Sequence, residues 1–118
     1  MVINLDFLPP RELSPNGRAH WSKRYRAAQV MSDHVIVRAR EARTATITPA
    51  AVVYHVRWCG RAPDEDNLIA SMKPGLDALV HADVLVDDSP EHVVSISVTY
   101  ERVNHRKDAG VRITVTAV

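Results

Sequence analysis

Carboxylates crowd into two short stretches of this chain. Pro63-Asp64-Glu65-Asp66-Asn67 sets three acids beside an amide, and Asp87-Asp88 adds a second acidic step. Like charges held together away from water raise one another's free energy, so a fold that gathers them usually supplies a cation. Asp64 and Asp66 stand two apart, and in extended chain such side chains point the same way and can face one ion. Asp87 and Asp88 are adjacent, so extended geometry sends them to opposite sides; one reaches the site while the other supports or caps. The segment between Asp66 and Asp88 has room for a helix out and a strand back, which lets the two acidic ends meet. Mg2+ takes a few carboxylates and several waters rather than a full protein cage. Such an ion orients and deprotonates water, polarises a phosphodiester and steadies the leaving oxygen. Asn67 can hold a ligand or a metal-bound water, and Lys73 can offset charge on the transition state or the leaving group.

Each acid also has an ordinary reading. Asp66 can cap a helix, Asp64-Glu65-Asp66 can be a solvated loop, and Asp87-Asp88 can be turn residues ahead of Ser89-Pro90. A calcium loop of the EF-hand type does not fit, because Gly is missing at its sixth position and Glu at its twelfth. The chain has no P-loop, dinucleotide fingerprint, zinc pattern or nucleophile elbow.

The 118 residues predict a single domain, 1–118, with a small core. Apolar content of 46% and charged content of 25% describe a globular chain rather than a disordered one. No apolar run approaches the span of a membrane helix, and the first residues lack the basic start of a signal peptide. With one cysteine, Cys59, there is no internal disulfide, which fits a cytoplasmic setting. The formal net charge of +1 hides an asymmetry. Residues 1–61 carry ten Lys/Arg against four Asp/Glu, whereas residues 62–92 carry one Lys against eight acids. A basic body around an acidic centre suits a protein that holds a phosphate backbone against a metal, although a solvated helix face plus an acidic loop has the same charge pattern.

The elements follow from periodicity. Residues 2–8 alternate as a strand that Pro9-Pro10 ends. Residues 9–20 form a loop around Ser14-Pro15-Asn16-Gly17. It leads into Arg18, His20 and Trp21, which with Lys23 and Arg24 are candidates to grip DNA: cations for phosphate, Trp for stacking. Trp21 can equally pin the next helix to the sheet. Residues 21–44 read as a basic amphipathic helix. Residues 50–59 read as a central strand, with Val52, Tyr54, Val56 and Trp58 on one face. Residues 67–82 read as a second helix with a kink or break at Pro74-Gly75. Val84-Leu85-Val86 reads as a short strand, and residues 92–103 and 110–118 as two closing strands joined by a basic hairpin tip. Arg61, Arg106 and Lys107 complete the candidate DNA contacts. The fold class is therefore α/β (α+β), with two helices, ordered β-α-β-α-(β)-β-β.

Taken together, Asp64-Glu65-Asp66-Asn67-Leu68, Lys73, Leu76-Asp77-Ala78-Leu79 and Val84-Leu85-Val86-Asp87-Asp88 resemble the RusA-type Holliday-junction resolvases, as do Pro15-Asn16 and His20-Trp21 of the early loop. The resemblance spans most of the chain and centres on residues 63–92. It implies a homodimer of small α/β subunits, each with a mixed sheet, that cuts branched DNA, such as a four-way junction, by paired incisions with Mg2+, or Mn2+ as the alternative ion. It implies Asp64, Asp66 and Asp88 as the metal-binding catalytic acids, Asp87 as adjacent support and Lys73 as the catalytic lysine. Lys73 departs from the founding type, following Asp66 by seven positions instead of four, while its spacing to Asp77 is kept. The expected activity is thus a metal-dependent, structure-selective endodeoxyribonuclease of recombination and repair. The alternatives are a catalytically silent nucleic-acid-binding dimer and a metal-dependent phosphohydrolase on small nucleotides.

Overall fold

Alternation along the strands decides how the molecule is layered. A computed structural model describes all residues, Met1–Val118. In β2 (Ala50–Trp58), Ala50, Val52, Tyr54 and Val56 are buried while the residues between them are half-exposed. β4 (Gly110–Ala117) runs antiparallel to β2 and sets Val115, Ile113 and Val111 opposite Val52, Tyr54 and Val56. β1 (Val2–Leu5) pairs antiparallel with β4, placing Ile3 on Ile113 and Leu5 on Val111. β3 (Val93–Arg102) pairs parallel with β2 on its other side, so the sheet order is β1-β4-β2-β3. One face of this mixed sheet is continuously apolar. The other carries His55, Arg112, Ser97 and Thr99 and is half-buried or exposed.

Helices cover the apolar face. α1 (Trp21–Ala42) buries Met31, Val35 and Ala39, a stripe at four-residue spacing. α3 (Lys73–His81) buries Gly75, Leu76, Ala78 and Leu79 and packs against α1. Each aliphatic side chain fully buried in this way contributes about 1.5–3 kcal/mol.

Several expectations shift. β1 stops at Leu5, and a 3-10 turn, Arg11–Leu13, follows the two prolines. α1 ends at Ala42, where Arg43 takes a left-handed conformation (φ 49°) as a cap. The second helix is two: α2 (Glu65–Ser71) stops at Met72 and α3 begins at Lys73. The break precedes Pro74, which therefore sits in the first turn of α3, where its missing N–H costs nothing. Val84-Leu85-Val86 is not a strand. The amides of Val84 and Leu85 both donate to Leu79 O, at 3.0 and 3.3 Å, so the chain wraps the end of α3 and buries both side chains. Residues 103–109 are not a hairpin tip either, because β3 and β4 flank β2 instead of pairing with each other.

Candidate active site

The acidic stretch leaves the end of β2 and starts α2. Asp64 occupies the N-cap position in extended conformation (φ −63°, ψ 140°), and Glu65 and Asp66 lie in the first turn, where the helix dipole favours acids. The cap position thus falls to Asp64 and not to Asp66. Helical geometry from Glu65 onward turns Asp66 away from Asp64, so the shared direction expected of an extended pair is lost. β3 anchors the turn: the Tyr100 hydroxyl donates to Pro63 O at 3.1 Å, and its ring meets Trp58 edge-on at 5.6 Å. Burial first, then the negative charges of Glu65 and Asp64, push the Tyr100 phenol above its ordinary pKa.

Lys73, the first residue of α3, ties the second acidic step to that helix. Its ammonium donates to Asp77 Oδ1 at 2.7 Å and also to Asp88 Oδ2, fifteen residues on. The ion pairs raise the Lys73 pKa, through Asp77 first and Asp88 second, and the Lys73 ammonium holds the Asp88 carboxyl below its ordinary value. Asp87 turns back on its own backbone, its Oδ1 accepting from the Asp88 N–H at 2.8 Å. Asp88 itself reaches α3 through Lys73. Asp77 also acts inward, since its charge adds to burial in raising the pKa of Tyr54.

Asp64, Asp66, Asp87 and Asp88 do not converge on one point. No three Asp, Glu, His or Cys side chains stand close enough to share an ion. The donors suit a hard cation in kind, because they are carboxylate oxygens with an amide nearby. As placed they do not form an ion site, and Asp88 is already paired with the Lys73 ammonium.

Three cavities surround these residues. Lys73 and Asp77 line a groove of about 370 Å³ with Arg24, Tyr25 and Gln29 of α1. Asp64 and Asn67 line a second cavity with Arg11 and Arg61. Arg18, His20 and Lys23 line a third with Arg11 and Ser14, which also border the second. His20 caps α1, its Nδ1 accepting from Ser22 N at 3.2 Å. Trp21 is 73% exposed and so does not pin α1 to the sheet. Arg106 lines a separate depression with Asp6, Phe7 and Cys59, and Lys107 follows it in the same exposed 3-10 turn, Arg106–Asp108. Neither belongs to the groove at Lys73. His55 is a half-buried residue of β2, bonded to Thr99 and Glu101.

Sequence reasoning did not single out Tyr25, Arg11, Tyr100 or the clamping role of Asp77. Two of these carried a signal: Asp77 follows Lys73, and Tyr25 follows Trp21, by the four residues that put side chains on one helical face. Arg11 and Tyr100 reach the site only through the folding of loop and sheet.

The molecule is thus an α+β domain with a mixed four-stranded sheet and a lysine-bridged acidic cluster on its helical layer. The chain belongs to the same family as an uncharacterized protein of Xylella fastidiosa (strain Temecula1 / ATCC 700964), to which it is 30% identical over 113 residues, covering 90% of this chain and 71% of the relative. No protein-family model matches it.

Proposed function

We propose that the chain is a structure-selective endodeoxyribonuclease that cuts branched DNA with the aid of Mg2+, as its resemblance to RusA-type resolvases implies. The observation that carries this reading is the bond from Lys73 to Asp88, which joins the second acidic step to the helical segment that follows the first. A bound Mg2+ would supply Lewis-acid activation of water and phosphate. The resemblance assigns Asp64, Asp66 and Asp88 to hold it, with Asp87 as adjacent support. Asp77 keeps the Lys73 ammonium in place beside the groove, where it can meet a phosphate or a leaving oxygen. Arg11, Arg24 and Arg61 offer backbone-binding charge around it. A homodimer gives two such sites for the two symmetric strands of a four-way junction.

The test is a labelled synthetic four-way junction incubated with purified protein, with Mg2+ or with EDTA. Symmetric nicks should appear with Mg2+ alone, and Asp88→Asn should abolish them while junction binding persists. A junction that is bound but left uncut in both Mg2+ and Mn2+ would refute the enzyme.

The second reading, a DNA-binding dimer without catalysis, is favoured by the same ammonium, which already pairs with both Asp88 and Asp77. Asp66→Ala separates the two readings. Cutting lost with binding kept supports the enzyme, and no change in either supports the binder.

A further inference from the structure

We infer that the first turns of α1 form a stacking platform for unpaired nucleobases, with Trp21 and Tyr25 as its two faces. The inference rests on the reading of the chain as a protein of branched DNA and adds the substrate feature it selects: nucleotides out of the duplex stack, as at a junction centre or a flap.

Trp21 is 73% exposed and Tyr25 66%, whereas Tyr54 is 1% exposed and Trp58 and Tyr100 are half-buried against the sheet. Four residues apart on one helix, the two rings lie on the same face, one turn from each other. Large aromatic surface is costly to leave in water, so a pair left open on a rigid helix calls for a ligand with a π face. The charge around them narrows its class. From Leu13 to Ser32 the chain contains no acid, while Arg18, Lys23, Arg24 and Arg26 give four cations. A polyanion with stackable rings is a nucleic acid with its bases accessible; a continuous duplex offers the charge but hides the rings.

The platform is braced before any ligand arrives. His20 is held by Ser22 through Nδ1, at 2.8 Å to Oγ and 3.2 Å to N, and the His20 ring lies 5.5 Å from that of Trp21. The platform also leads to the candidate active site. Tyr25 and Arg24 line the same groove as Lys73 and Asp77, so a strand whose base rests on Tyr25 sets its phosphates along that groove. An anionic membrane is the competing partner for a basic helix with an exposed Trp. Here the apolar stripe of Met31, Val35 and Ala39 is buried, and the other exposed aliphatics of the helix are only Val30 and Val37, a small apolar area for lipid.

The experiment compares wild type, Trp21→Ala, Tyr25→Ala and the double variant, with Trp21→Phe and Tyr25→Phe as conservative controls. Fluorescence anisotropy in EDTA at one fixed salt concentration measures affinity for oligo-dT, a four-way junction and a continuous duplex, and flotation with phosphatidylserine vesicles measures lipid binding. Each alanine should weaken oligo-dT and junction binding on the order of tenfold, with duplex affinity within about twofold and the phenylalanine variants near wild type. Equal losses on all three DNAs, no loss on any, or loss of vesicle binding in their place would overturn the platform. Mg2+-dependent nicking of the junction is scored separately. A wild type that nicks without depending on the aromatics keeps the nuclease and loses the platform; aromatic-dependent oligo-dT binding without nicking does the reverse.

Discussion

Lys73 and Asp88 hold the smallest unit of the proposed chemistry, and their protonation can be followed directly. Asp88 titrates below its ordinary 3.8, so the pairing favours the folded state above the unfolded value and is lost as pH falls through the depressed one. Lys73 is shifted above 10.5, so its share is present below that value and is lost as pH rises through the raised one. The bridge is therefore intact across neutral pH. In Lys73→Met, the Asp88 side-chain titration read by NMR should move up toward the ordinary carboxylate value; an unmoved midpoint would mean that the ammonium is not its partner in solution. A second residue-scale prediction concerns the acidic turn. Tyr100→Phe removes the bond to Pro63 O and should cost about 1 kcal/mol in urea unfolding, with faster amide exchange at residues 64–66.

Among the elements, α3 is the one that positions Lys73, and its glycine tests how it is packed. A Cβ on Gly75 would meet Met72, Met31 and Val35 at 3.5–3.7 Å, ordinary contact distances, and no left-handed backbone forbids it. Gly75→Ala should therefore stabilise the fold by about 0.5–1 kcal/mol, seen as a higher urea midpoint. Gly110 is the opposite case. A Cβ there would collide with Leu5 O, a backbone atom that cannot move without breaking β1 from β4. Gly110→Ala should lower the midpoint sharply, and equal responses at the two glycines would contradict the packing described.

For the whole molecule, the basic residues are spread over several loops and one helix, so they act jointly, as a field. Junction affinity should fall linearly in a plot of log K against log salt, and replacing Arg24 and Arg61 with Gln should reduce the slope by roughly one for each phosphate left without its cation. An unchanged slope would place the DNA elsewhere on the surface.

The alternation that makes β2, β3 and β4, the amphipathic run of α1 and the acids of residues 64–66 and 87–88 were all legible in the residues themselves, because periodicity and charge are local properties. The pairing of strands was not. Residues 93–117 look like a hairpin, and only the competition for β2's two edges separates β3 from β4. Val84 to Val86 has the composition of a strand, yet its amides close the end of α3, since burial of Val84 and Leu85 is satisfied there. Nor could spacing decide which distant charges meet. The chain by itself determined that carboxylates and a lysine would be close in number and kind. Tertiary structure alone decided that Asp88 joins Asp77 on Lys73 while Asp64 turns to a cavity with Arg11, because a helix and an extended strand send the same spacing in different directions.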